Sequence, residues 1–310
     1  MIFADMATQQ DIEAMYDWVD FFHTRRLGDY ADFTCALFDG DFSKSLSRAQ
    51  KDKHDWVLKG INFKKGHKII DIGCGWGPML NAIRARGGIG SGLTLSSAQE
   101  RYCQSKGLNV RLQDYKKADK KELGKFDGVV SVGAFEHFCS IEEYKAGKQE
   151  QIYKEFFDFC ADLLPKGGRL FLQTMTWGKE VLDPDKLTPD APPDSPEGIL
   201  YRLTKFYPGS WLPSGLEQMQ KAASHRFNFI SSKNGRLDYI ETLNRWGKST
   251  KNLYTIKNFF PALGKAISLV PRYITDRDFR VQVSSIKHND QQECFKQEIM
   301  SHERMFFEKK

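Results

Sequence analysis

Asp71, Gly73, Gly75 and Gly77 stand in one string, KIIDIGCGWG, at 68–77. An acid near the end of an apolar run, followed by glycines at two-residue spacing, lets a ligand lie directly against main-chain N–H groups. The string is neither GxGxxG nor GxxxxGK[ST], so it lacks the fingerprints of a dinucleotide or triphosphate site. It suits a nucleoside carrying an amino-acid tail. Two other places carry chemistry-bearing side chains beside turns: Thr94, Ser96, Ser97 and Gln99 in GLTLSSAQ at 92–99, and Glu136 with His137 in SVGAFEHF at 131–138. Six cysteines, at 35, 74, 103, 139, 160 and 294, form no CxxC pair, which argues against zinc and against a disulfide framework.

These groups need a scaffold. The run 68–72 has the composition of a buried parallel strand, and 78–86 that of a helix with Pro78 in its first turn. Strand, glycine turn and helix form the opening unit of a doubly wound α/β sheet, whose ligand sits at the strands' carboxyl ends. Further strands are expected at 90–95, 110–112, 126–132 and 167–174, with a helix at 148–164. The third of these five strands, 110–112, is followed by Asp114 and Tyr115, a carboxylate to accept from an amide and a ring to stack on adenine.

The flanks read differently. Residues 8–27 carry Ile12, Met15, Tyr16, Val19 and Phe22 at helical spacing, and a second helix runs to about Lys59. With the aromatic-rich loop between them, this segment (1–60) reads as a lid over the ligand site. The α/β core takes 61–177, and 178–199 is a proline-rich excursion that cannot make a core. Residues 200–310 supply the remaining core strands and a helical cap over the substrate. Within the cap, 257–274 is apolar and basic together. It fits a helix over an acyl tunnel, an interfacial helix touching lipid, or a plain core-packing helix. The tail 287–310 reads as one final helix.

With 310 residues, 40% of them hydrophobic, the chain can bury a sizeable core. No run reaches the ~18 apolar residues of a membrane span, and the first residues lack the regions of a signal peptide. A cytoplasmic location is expected, with peripheral contact at the inner membrane face. The net charge of +6 favours an anionic membrane surface or an acidic ligand. It is too diffuse for nucleic acid.

The string DIGCGWG resembles motif I of the class I S-adenosylmethionine (SAM) methyltransferases. A closer resemblance runs in order through YDWVDFF (16–22), FTCALF (33–38), DIGCGWG (71–77), GLTLSSAQ (92–99), SVGAFEHF (131–138), FYPGSWLPS (206–214) and DYIETLNRW (238–246). Together these strings look like the cyclopropane fatty acid synthases, with the mycolic acid cyclopropane synthases and their methyl-transferring relatives as the nearest branch. The resemblance implies SAM as cofactor, contacted by Tyr16, Phe33, Thr34, Asp71, Gly73, Gly75, Thr94, Leu95, Gln99, Asp114, Tyr115, Gly133 and His137. It implies methyl transfer to a carbon–carbon double bond in a lipid acyl chain. It also implies a bound bicarbonate that takes the proton from the resulting cation, held by a cysteine-loop amide, a glutamate, a histidine and a tyrosine. Cys35, Glu136 and Tyr239 match three of these. The fourth departs: the family string LLHTI reads LFLQTM here, placing Gln173 where histidine is expected.

Glutamine can donate a hydrogen bond but carries no charge. Loss of a charge-assisted bond weakens anion binding by ~1–2 kcal/mol, about ten-fold in affinity. Bicarbonate is therefore a doubtful ligand. Glu136 fits equally a general base, a stabiliser of a cationic intermediate and an anchor for a substrate amine. Methylation of a small-molecule amine or natural product is the alternative to the lipid reading, because plant alkaloid N-methyltransferases share this core. A SAM-binding protein without catalysis is disfavoured by the retained Cys35, Glu136 and Tyr239.

Overall fold

The computed structural model describes residues 30, 32–205, 207, 209–249 and 256–310. Tyr16 and the helix expected at 8–27 lie outside them. After helix α1 (Leu46–Gly60) the chain enters the sheet with β1 (Lys68–Ile72), α2 (Pro78–Ala85), β2 (Ile89–Thr94), α3 (Ser97–Ser105) and β3 (Asn109–Leu112). A one-turn α4 (Lys120–Leu123) leads to β4 (Gly128–Val132), then α5 (Ile141–Lys145), α6 (Gln149–Leu163) and β5 (Arg169–Trp177). The strand order is β3-β2-β1-β4-β5-β7-β6, completed by β6 (Phe227–Asn234) and β7 (Met300–Lys309). β1 to β5 are parallel, and β7 lies antiparallel between β5 and β6.

Central strands with continuous apolar runs must be covered on both faces. One face of the sheet packs Leu170, Leu172, Met305 and Phe307 against Phe156, Phe157 and Leu163 of α6. The other packs Phe171 and Phe306 against Val57 and Leu58 of α1. A third cluster caps the carboxyl end of the sheet. It joins Cys35, Met175 and Trp177 to α7 (Pro196–Thr204), α9 (Arg236–Ser249) and α12 (Asp290–Lys296). The remaining helices are α8 (Leu216–Ala223), α10 (Ile256–Thr275) and α11 (Arg277–His288). The stretch 178–195 has one short 3-10 turn, Pro184–Lys186, before Pro196 opens α7.

The tail corrects the sequence reading. Instead of one helix it forms the end of α11, the short α12 and then β7, the longest strand of the sheet. Met300, His302, Arg304 and Phe306 point to one face and Met305 and Phe307 to the other, the alternation of a strand buried on both sides. The charged side chains on the inner face disguise it. Between β5 and β6, β7 satisfies the backbone groups of both neighbours.

Candidate active site

The cofactor side is built at the carboxyl ends of β1, β2 and β4. A cavity of about 570 Å³ is lined by Phe33, Thr34, Asp71, Gly73, Gly75, Thr94, Leu95, Gln99, Asp114, Tyr115, Gly133 and His137. Every SAM-side residue expected from sequence, Tyr16 apart, is thus brought to one chamber. The two glycines differ in why they are glycine. Gly73, at φ +81°, has Ala134 Cβ 2.3 Å from where its own Cβ would stand, so protein packing excludes a side chain. Gly75, at φ +53°, faces open space. Its missing side chain keeps the chamber clear.

Thr94 Oγ1 donates to Gln99 Oε1 at 2.7 Å, and Ser96 caps α3 by accepting from Gln99 N, so the turn after β2 is fixed by its own polar side chains. Asp114 accepts from Lys116 N. Tyr115 borders the chamber but is mostly buried, 4.7 Å from the Phe138 ring, and its hydroxyl has no partner among the described residues. His137 Nδ1 lies 2.8 Å from Ser210 Oγ. Phe33 stacks on Trp246 at 5.0 Å, within 6° of parallel.

Asp71 is buried, its Oδ1 unpartnered among the described residues, and burial together with the nearby Asp32 carboxylate raises its pKa to about 8. A ligand ammonium arriving there would meet an acid ready to ionise. Sequence reasoning missed the group beside it. Lys53 and Asp32 are both buried at the chamber wall, Nζ 2.6 Å from Oδ2, with His54 Nε2 2.8 Å from the same oxygen. Burial alone would raise the Asp32 pKa, but Lys53 and His54 hold it well below the usual carboxylate range. In RAQKDKHDW, Lys53 reads as one charge of a solvated helix face. Nothing local reveals that Asp32 and Thr34 wait beneath it.

The reaction side adjoins this chamber. A narrower apolar cavity of about 60 Å³ shares His137, Tyr207 and Ser210 with it, and is walled by Met175, Trp177, Leu200, Leu203, Trp211 and Met300. Glu136, Thr204 and Gln291 add further polar groups to its lining. Glu136 accepts from Thr174 Oγ1 at 3.0 Å, and burial raises its pKa to about 7. Burial chiefly, with Tyr207, Glu136 and Cys35 nearby, raises the Tyr239 phenol well above its ordinary value. The Tyr239 ring packs 4.6 Å from Phe295 and 5.1 Å from His302. Cys35 is buried and its thiol is pushed up to about 11 by burial, so it stays neutral. Gln173 is buried, its Oε1 unpartnered among the described residues, directly across from Arg304 on β7.

The structure places Glu136 in the lining of the apolar cavity and Cys35, Gln173 and Tyr239 buried outside that lining, with Glu136 and Cys35 near the Tyr239 phenol and Gln173 paired with Val132 at the end of β4. It adds three residues that sequence reasoning missed: Gln291, His302 and Arg304. Period-two alternation in MSHERMFF was the signal for the last two. His302 is buried and its pKa is lowered well below the ordinary value by burial, so it is neutral.

A 3-2-1-4-5-7-6 sheet with an acid and glycine turn after β1 defines a class I SAM-dependent methyltransferase, and SAM is its cofactor. A sequence model of the mycolic acid cyclopropane synthetase family matches residues 4–263. The chain is 31% identical over 258 residues to cyclopropane mycolic acid synthase 2 of Mycobacterium leprae, covering 76% of this chain and 77% of that protein. It is 28% identical over 255 residues to hydroxymycolate synthase MmaA4 of Mycobacterium tuberculosis, with 78% of each covered. The crystal structure of mycolic acid cyclopropane synthase CmaA1 complexed with SAH and CTAB superposes with a TM-score of 0.72 at 25% identity, covering 97% of this chain and 98% of that one. The chain belongs to the mycolic acid cyclopropane synthetase family.

Proposed function

We propose that this enzyme transfers the SAM methyl carbon to a double bond in a lipid acyl chain, giving a cyclopropane or a methyl branch. The observation that carries the reading is the apolar cavity that shares lining residues with the SAM chamber and is itself lined by buried Glu136. The relatives named as mycolic acid synthases support it. SAM supplies an electrophilic methyl when bound. The protein's part is to align the alkene with it, exclude water and place a carboxylate beside the developing cation. Cys35, Tyr239 and the Glu136–Thr174 pair are assigned to that work.

Bicarbonate, where present, would take the leaving proton. It would be held by the Cys35 amide, Glu136, Tyr239 and Gln173. The donor set fits it poorly, because Gln173 brings no charge and its carbonyl oxygen is already an unpartnered acceptor. A Gln173→His enzyme is expected to gain carbonate dependence, its activity in carbonate-depleted buffer falling several-fold relative to replete buffer. Its products should shift toward cyclopropane. A wild-type enzyme already fully dependent on carbonate would show that Gln173 is a conservative replacement.

Peripheral contact with an anionic membrane belongs to the same reading. Among the described residues no helix is long and apolar enough to cross a membrane. α10 instead presents Leu263, Ile267, Val270 and Ile274 to solvent along one stripe. Residues 256–288 carry six Lys or Arg against two Asp, a surplus of four. α10 packs on α11, which packs on α7, whose Leu200 and Leu203 wall the apolar cavity.

One experiment tests substrate and surface together. Isotope-labelled SAM is incubated with the enzyme and anionic vesicles of unsaturated phospholipid, followed by sedimentation and mass spectrometry. The expected result is co-sedimentation and label in acyl chains. Label confined to amine-bearing small molecules in a supplemented extract would replace the lipid reading with N-methylation. Failure to sediment would remove the surface assignment alone.

A further inference from the structure

A buried ion pair stands behind the reaction side. Arg304 has no solvent exposure, and its Nη1 donates to Asp238 Oδ2 at 2.8 Å. Its Nη2 donates to Ala36 O at 2.7 Å and lies 3.1 Å from Cys35 Sγ. Asp238 precedes Tyr239 on α9, and its Oδ1 accepts from Asp39 N at 3.1 Å. One turn further along α9, Thr242 Oγ1 accepts from Ala36 N at 3.0 Å and donates to Asp238 O at 2.7 Å. In the β5–β7 register Arg304 is the direct partner of Gln173. Directly opposed residues of an antiparallel pair share a face. A single guanidinium therefore meets the segment carrying Cys35, the helix carrying Tyr239 and the strand position of Gln173.

Such an arrangement is costly for stability alone. Well-packed apolar side chains of similar volume commonly serve as well as a buried ion pair, or better. Here, among the described residues, Arg304 Nε and Gln173 Oε1 are left without partners besides. What the pair does provide is direction. A guanidinium offers five N–H groups in one plane, so it can hold a carboxylate and a carbonyl at once, which an ammonium on a flexible stem cannot do with the same geometry. The charges of Arg304 and Asp238 offset each other. The clamp thus sets positions without adding a net positive charge beside a cationic intermediate, which is left to Glu136.

We propose that Arg304 and Asp238 are a positioning pair for methyl transfer, clamping the Cys35–Ala36 backbone to α9 so that Cys35 and Tyr239 are presented together toward Glu136. Only the turnover readout below rests on the lipid reading. The pair acts through other residues and touches no reacting atom.

Removing Arg304 alone leaves Asp238 buried and unpaired, which endangers folding. The test therefore uses the double variant Arg304→Gln/Asp238→Asn, which deletes both charges and keeps hydrogen-bonding groups, and Arg304→Lys as a second, charge-conserving variant. Both are compared with wild type for SAM affinity by calorimetry, amide hydrogen exchange at Ala36, and label transfer to acyl chains. The expected result in each is SAM affinity within two-fold of wild type, Ala36 exchange at least ten-fold faster, and kcat at least ten-fold lower with KM for SAM unchanged. A folded variant with wild-type exchange at Ala36, or with wild-type kcat, overturns the proposal. If wild type itself labels no acyl chain, the lipid reading fails, and the exchange comparison still decides the clamp.

Discussion

A Gly75→Val enzyme is expected to fold and to lose SAM binding, its affinity falling at least ~100-fold, or about 2.7 kcal/mol. Two effects act at this position. The backbone is left-handed, φ +53°, where a β-branched residue is strained by ~1–2 kcal/mol. The new side chain would also project into the chamber, since among the described residues no atom stands within 4 Å of the Cβ position. Strain weakens the fold, whereas occupation of the chamber blocks the ligand. Gly66→Val separates them. Gly66 has φ +86° and equally open space around its Cβ, but it does not line the chamber, so the substitution reports strain without obstruction. Calorimetric titration with SAM is expected to give wild-type affinity for Gly66→Val and none measurable for Gly75→Val. Unchanged affinity in a folded Gly75→Val protein would remove the chamber as the SAM site. Gly73 is a poorer probe, because Ala134 would be struck first and the fold itself would suffer.

The contrast between these glycines shows what kind of information the chain carries locally. The parallel half of the sheet is readable because each strand is a short apolar run and each turn announces itself by glycine or a capping residue. Strand β1 with its glycine turn, Pro78 at the start of α2 and Ser96 before α3 are all contained within a few residues. The reaction side is different. Cys35 is separated from Arg304 by 269 residues, and Asp238 from Arg304 by 66. No window along the sequence contains the partners that make a buried arginine tolerable, so His302 and Arg304 read as the polar face of a helix. The same holds for Lys53, whose carboxylate partner Asp32 is brought beneath it by the irregular 32–38 segment. Cys35, Glu136 and Tyr239 were found through resemblance of their strings, and the neighbours that hold them in place were not. Gln173 was visible as a departure, but the guanidinium opposite it came only with the β5–β7 register.

Glu136→Gln is expected to abolish turnover while raising stability at alkaline pH. The carboxyl is buried and accepts a hydrogen bond from Thr174, and burial raises its pKa from 4.5 to about 7. The sign follows from proton linkage. A carboxyl whose folded pKa exceeds its unfolded value contributes stability that is fully present below the unfolded pKa, near 4.5, and is lost as pH rises through about 7. Above that pH the native state holds a buried charge, a penalty of roughly 3 kcal/mol by the usual conversion of pKa difference to free energy. Glutamine removes it and can still accept from Thr174. The variant should therefore melt several degrees above wild type at pH 8.5, with the difference shrinking toward pH 5. Catalysis runs the other way. Whether Glu136 takes the proton or faces the cation, the carboxylate form is the active one. Wild-type kcat should thus rise with pH and level off above about 7. Loss of a positioned carboxylate in a mostly apolar cavity should lower kcat by about 10²- to 10⁴-fold. SAM affinity is expected to stay near wild type, because Glu136 borders the apolar cavity and not the SAM chamber. Scanning calorimetry at the two pH values, with labelled-SAM turnover across the range, checks both halves. A variant that is inactive but no more stable at pH 8.5 would mean that the native carboxylate is solvated or paired by a ligand. An active variant would move the chemistry to another residue, with Tyr239 the next to test.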